Sequence, residues 1–217
     1  MDLLDFARGP AMQWSLAILL FGTLWRLVGI IFLRHSTDYS KPRSQATAWG
    51  ATRTIVRRMW PRKEFWPQTA YGQSIGYVFH VGLAIVVFGF VPHILFIRNL
   101  LGISWPGLPG PAVYFIGVVT IMALLMALVR RLTSPVLRML SNFDDYFSWL
   151  VTTAPVATGL LAVAHYGARY ETLLAVHILS VELLFIWFPF GKLMHALLFT
   201  FSRGTTGAVY SRKGAST

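Results

Sequence analysis

Four histidines, His80, His93, His177 and His195, stand within long apolar runs, where imidazole is a residue type suited to ligating iron or relaying a proton. His177 and His195 share the run LLAVHILSVELLFIWFPFGKLMHALLFTF, Leu173 to Phe201. On one helix, eighteen steps of about 100° return the second imidazole to the azimuth of the first, about 27 Å further along. A bilayer core is about 30 Å thick, so the two rings would look out of one face near opposite interfaces. Each is expected to be an axial ligand to a b-type haem iron; the alternative is a pair of hydrogen-bonded interior histidines.

Partners must come from a second segment. GQSIGYVFHVGLAIVVFGFVPHILFI, Gly72 to Ile97, carries His80 and His93 and runs the opposite way across the membrane. The expected pairs are His80 with His195 (inner haem) and His93 with His177 (outer haem), two haem b groups stacked across the bilayer. The register is imperfect, because thirteen residues give about 20 Å and roughly 220° of turn. Pro92 and Pro189 each remove a helical hydrogen bond and collide with the preceding turn, so kinks could restore the match. Gly76, Gly89 and Gly191 each lie four residues before a candidate ligand. A missing side chain there would clear room for a flat macrocycle or, alternatively, for close helix packing.

The elements that position these residues follow from composition. The chain has 217 residues, 55% hydrophobic and 12% charged, with a mean hydropathy of +0.58, which is the profile of an integral membrane protein. Five apolar stretches, about 13–33, 72–97, 111–129, 146–164 and 172–201, are long enough to span and predict an all-α bundle in one membrane domain. Asp2 and Asp5 spoil a basic leader, so the first stretch is expected to stay as a helix.

The net charge of +11 could suggest nucleic acid, but its distribution reports topology instead. The long 34–71 loop holds Arg34, Lys41, Arg43, Arg53, Arg57, Arg58, Arg62 and Lys63; Arg130, Arg131, Arg138, Arg203, Arg212 and Lys213 fall on the same side. Only Arg8, Arg98 and Arg169 face the other way, which predicts an N-terminus outside and a C-terminus in the cytoplasm. Anionic lipid or an acidic partner is a secondary reading of the same charge. Cysteine is absent, so thiolate-held clusters, disulfides and covalent haem attachment are excluded from this chain.

Other polar residues have two readings each. Arg26 inside the first span either snorkels to the interface or meets an anion such as a haem propionate. His35 reads as an interfacial histidine. The 34–71 loop, with Trp49, Trp60, Phe65 and Trp66 among its cations, has the composition of a headgroup-level segment. A short amphipathic helix is expected near Thr52 to Trp60, ended by Pro61, as a membrane anchor or a docking surface. Asp144 and Asp145 suit the positive end of a helix dipole, with proton uptake as the alternative. His165 fits an interfacial aromatic cluster or the edge of a quinone or haem site. Glu182, five residues from His177, would point about 140° away from the haem face, where a proton-pathway role is conceivable.

Together, FHVG (Phe79 to Gly82), RRLTSPVLRMLSNFDDY (Arg130 to Tyr146) and VHILSVELLFIWFPFGKLMH (Val176 to His195) resemble the gamma subunit of respiratory nitrate reductase. They are equally similar to its relatives, the membrane cytochromes b of heterodisulfide reductase and dissimilatory sulfite reduction complexes. The resemblance covers about Gly72 to Tyr210 and is most specific at P-F-G-K-L-x-H. His195 and His80 match the inner-haem ligands, and His177 matches an outer-haem ligand. The chain departs from the nitrate reductase pattern in the wider spacing of the two helix-two histidines and in its longer first loop.

The resemblance implies a quinone site near the outer haem, a cytoplasmic iron–sulfur or reductase partner and a prokaryotic inner membrane. Two other classes compete: a haem-free anchor recruiting a soluble enzyme through its basic loop, and a small transporter with histidines in a proton path. The transporter would be expected to show internal repeats, which are not found.

Overall fold

A computed structural model describes residues 2–33 and 38–215, and every regular element among them is helical. Asp2 caps α1 (Leu3–Phe6) by accepting the Asp5 N–H at 2.7 Å. A wider π turn, Ala7–Ala11, comes next and carries Pro10. Because proline has no N–H to donate, the ladder slips there before α2 (Met12–Ile31) resumes it. The chain continues through α3 (Thr47–Arg57), α4 (Trp66–Gly89), α5 (Val91–Leu101), α6 (Gly110–Thr133), α7 (Pro135–Leu140), α8 (Phe143–Ala164), α9 (Tyr170–Trp187) and α10 (His195–Arg212).

Five helical stretches are long and apolar enough to cross a membrane: Leu3–Ile31, Lys63–Gly89, Gly110–Thr133, Phe143–Ala164 and Tyr170–Trp187. Trp14, Phe21, Trp25, Phe88 and Phe115 stand exposed along them, the surface expected of helices that face lipid rather than water. Within the bundle α4 packs on α6, α6 on α8, α8 on α9 and α9 on α2. The contacts use small residues: a Cβ on Gly117 would stand 2.9 Å from Leu160, and one on Gly22 would stand 2.7 Å from Pro189.

Two expected spans are not single helices. The 72–97 stretch divides at Phe90, whose backbone is extended (φ −82°, ψ 124°), into α4 and α5. The 172–201 stretch stops at Trp187, turns through Pro189 and an extended Gly191, passes a 3-10 turn at Lys192–Met194 and restarts as α10 at His195. The shared azimuth expected of His177 and His195 therefore does not exist, because no continuous helix joins them. The proline ring clashes with the preceding turn, and the backbone beyond it starts a separate helix.

α3 begins five residues before the expected Thr52 and ends at Arg57, short of Trp60 and Pro61. It packs on α10, with Gly50 and Gly207 at the crossing, where side chains would collide with the facing helix. The tail is tied in by Arg43 N–H to the Arg212 carbonyl (2.8 Å), Ser211 Oγ to the Ala46 carbonyl (2.9 Å) and the Arg212 guanidinium to the Ser40 carbonyl (3.0 Å). Hydrogen bonds from Ser40, with Lys213 and Arg212 beside it, hold the Asp38 carboxyl below the usual carboxylate range. Arg34 and His35 lie outside the described residues.

Candidate functional site: two imidazole pairs

The break at Phe90 aims His93. In an unbroken helix the Phe88 carbonyl would accept from residue 92, but Pro92 has no N–H. The indole N–H of Trp105 donates to that carbonyl instead, at 2.6 Å. Leu108 N–H donates to the Gly89 carbonyl at 2.8 Å. His93 Nδ1 donates to the Val86 carbonyl at 3.0 Å; a carbonyl only accepts, so the proton is on Nδ1. The connector between α5 and α6 thus folds back onto the break and supplies the donors that the helix lost.

With the break in place, His93 and His177 come together, their ring centres 6.0 Å apart and their planes 21° from parallel. His177 Nδ1 lies 3.3 Å from Thr158 Oγ1. Thr158 gives its own proton to the Ala154 carbonyl at 2.7 Å, so its oxygen accepts from Nδ1–H. Ser180 Oγ, 3.0 Å from Thr158, donates to the His177 carbonyl. Gly159 lets the ring lie against α8, since a Cβ there would stand 3.1 Å from His177 Cε1.

The break after Trp187 has the same effect at the other end. His195 opens α10 and lies 6.0 Å from His80, ring centre to ring centre, with perpendicular planes. His80 Nδ1 donates to the Gly76 carbonyl and His195 Nδ1 to the Lys192 carbonyl, each at 2.7 Å. Lys192 is itself held: its Nζ meets Asp145 Oδ2 at 2.5 Å, and its backbone N–H donates to Asp144 at 3.1 Å. Arg131 pairs with the other Asp145 oxygen at 3.1 Å. Asp144 and Asp145 both stand in the first turn of α8, where Asn142 and Asp145 form a capping box, and both brace the turn that carries His195.

His80 thus stands beside His195 and His93 beside His177, and all four Nδ1 atoms are engaged. With its proton on Nδ1 each ring keeps an unprotonated Nε2, the arrangement by which an outer hydrogen bond orients a ligating histidine. With metal–nitrogen distances of about 2.0–2.1 Å and a ring centre about 1 Å behind, two imidazoles on one ion have centres roughly 6 Å apart. The angle between their planes is free to vary about the shared axis. Among the described residues no cluster of three or more His, Cys, Asp or Glu side chains could hold a metal ion. Each of the two sites brings together two imidazoles.

A cavity of about 620 Å³ opens beside His195 and is lined by Arg26, Arg131, Lys192 and Phe199, among others. Arg26 thus lines the same cavity as His195. The glycines divide. A Cβ on Gly76 would meet nothing within 4 Å, leaving open space beside His80. At Gly89 the space is taken by Leu108 and at Gly191 by the Trp187 indole, so these two serve close packing and not clearance for a macrocycle.

His165 caps α8 in the left-handed conformation (φ 52°), its ring 5.0 Å from that of Tyr170. It joins neither pair. Glu182 is 3% exposed, and its Oε1 has no hydrogen-bond partner. Thr158, Ser180, Trp105 and Leu108 carry no signal in the sequence that would single them out.

The chain is similar to a curated protein of Nitratidesulfovibrio vulgaris (strain Hildenborough), 32% identical over 219 residues that cover 98% of this chain and 96% of the relative. That relative's name, "Protein", states no activity. No family profile matches the chain, and no solved structure does.

Proposed function

The chain belongs to the same family as the Nitratidesulfovibrio vulgaris protein, and we propose that it is the dihaem b-type cytochrome subunit of a membrane respiratory complex, passing electrons between the quinone pool and a cytoplasmic iron–sulfur or reductase partner. The observation that carries this reading is the pair of 6.0 Å imidazole separations, His80 with His195 and His93 with His177. Haem, when bound, supplies reversible one-electron chemistry.

The residues of the chain determine how that chemistry would be used. Two imidazoles at each site would hold one haem between them and leave no ligand position open, which would favour electron transfer over the binding of oxygen or substrate. The Nδ1 hydrogen bonds hold each ring in one tautomer and one orientation. Arg26 would offer a cation to a carboxylate of a cofactor held by His195, whereas Arg131 and Lys192 in the same cavity already pair with Asp145. The excess of basic residues in 34–71 and in the C-terminal helix supports the reading that this end faces the cytoplasm of a prokaryotic cell, where a soluble partner would dock. The His93–His177 pair then lies toward the outer face and serves the quinone.

The test is the colour of the purified protein. Reduced-minus-oxidised spectra should show b-type bands, and the pyridine haemochrome assay should give about two haems per chain. A folded, colourless preparation would sink the proposal and favour a haem-free anchor that recruits a soluble enzyme through its basic face.

A further inference from the structure

Where span Lys63–Gly89 begins, Arg58, Trp60, Arg62, Phe65 and Arg203 line a cavity of about 400 Å³. It is distinct from both imidazole pairs. No carboxylate lines it, and none of the ion pairs among the described residues involves Arg58, Arg62 or Arg203. Three guanidinium groups facing one small space repel one another unless an anion sits between them.

The walls are held in place without a ligand. The Gly50–Gly207 crossing of α3 and α10 brings Arg203 toward Arg58. The Arg203 guanidinium lies 5.6 Å from the centre of the Phe199 ring. Arg58 N–H continues the α3 ladder to the Thr54 carbonyl at 3.1 Å. Trp60 stacks on Tyr77 of α4, ring centres 5.4 Å apart, and the Tyr77 hydroxyl donates to the Met59 carbonyl. The Arg58–Arg62 segment is thereby fastened to the start of the span.

We infer that this cavity binds the phosphate of an anionic phospholipid. Guanidinium groups match phosphate oxygens in paired hydrogen bonds. Trp60 and Phe65 add an aromatic wall where headgroups meet acyl chains. A soluble phosphate would satisfy the same cations, but the cavity opens at the start of a membrane-spanning segment, where lipid phosphate is the abundant form. The inference does not depend on haem binding.

The test uses the full-length protein in nanodiscs of phosphatidylcholine containing phosphatidylglycerol, with retained phosphatidylglycerol counted by native mass spectrometry after release into detergent. Wild type should retain it, and the triple variant Arg58→Gln, Arg62→Gln, Arg203→Gln should retain at least about 10-fold less. A charge-matched control, Lys41→Gln, Arg53→Gln, Arg138→Gln, should behave as wild type. Equal retention by the triple variant, or equal loss in the control, would overturn the site. Displacement of the lipid by millimolar inorganic phosphate would overturn the lipid as its occupant. If the triple variant fails to fold, Arg203→Lys supplies the readout: the point charge remains but the paired hydrogen bonds do not, so retention should fall, and unchanged retention overturns the inference.

Discussion

The indole of Trp105 donates at 2.6 Å to the carbonyl of Phe88, the backbone acceptor that Pro92 leaves without a helical donor. The contact links a surface connector to the orientation of an interior imidazole. An orphaned carbonyl in an apolar setting costs about 1–3 kcal/mol, so Trp105→Phe should lower stability by that order. The disturbance should centre on His93, close to the break at Phe90. Thermal unfolding together with haem spectra would check this: the outer-haem signal should broaden while the inner one keeps its line shape.

On the proposed dihaem reading, replacing the histidines one at a time separates the two sites. His80→Ala or His195→Ala should leave about one haem per chain, the outer one. His93→Ala or His177→Ala should leave the inner one. His165→Ala should leave both, because its ring meets Tyr170 and neither pair. Haemochrome titration decides the matter, and loss of both haems from a folded His165 variant would show the pairing to be mistaken.

Thr158 orients His177 through Nδ1. Thr158→Val keeps the shape of the side chain but removes the acceptor, and changes of this kind cost about 10–100-fold in metal affinity at other histidine sites. The expected outcome is loss of outer haem during detergent washing, restored by Thr158→Ser. Equal retention in the valine variant would mean that the hydroxyl does not hold the ring.

Asp145 bears on His195 through Lys192, whose carbonyl takes the imidazole proton. Arg131 and Lys192 have side chains 33% and 48% exposed, so solvent screens the ion pairs and Asp145→Asn should cost less than about 1 kcal/mol in stability. Its larger effect should be on geometry. A shift in the midpoint potential of the inner haem alone, followed by redox titration, is expected; equal shifts at both haems would argue against a positioning role.

The α3–α10 crossing offers a prediction free of any cofactor. Gly50→Val would drive a branched side chain into Ser211 and the Gly207 carbonyl. Limited proteolysis between residues 38 and 46 should become faster, by about 10-fold or more if the two helices separate. Helix content in the spans should remain, since the crossing lies outside them.

Much of this was legible in the sequence because it depends on local properties. Run length and hydropathy determined the five apolar spans, the sign and placement of charge suggested an orientation, and the histidine positions suggested two pairs. Pro92 and Pro189 marked where the second and fifth stretches would deviate. Whether a proline kinks a helix or ends it depends on which distant groups take up the freed carbonyls, and only the tertiary structure decided that: Trp105 and Leu108 complete a break, and Asp144 and Asp145 brace the Lys192 turn before His195. The glycines show the same division. Their spacing was visible, but whether the space beside them stays open, as at Gly76, or fills, as at Gly89 and Gly191, depends on how the neighbouring side chains pack. Periodicity describes one helix at a time, whereas the meeting of two imidazoles is a property of how broken helices pack.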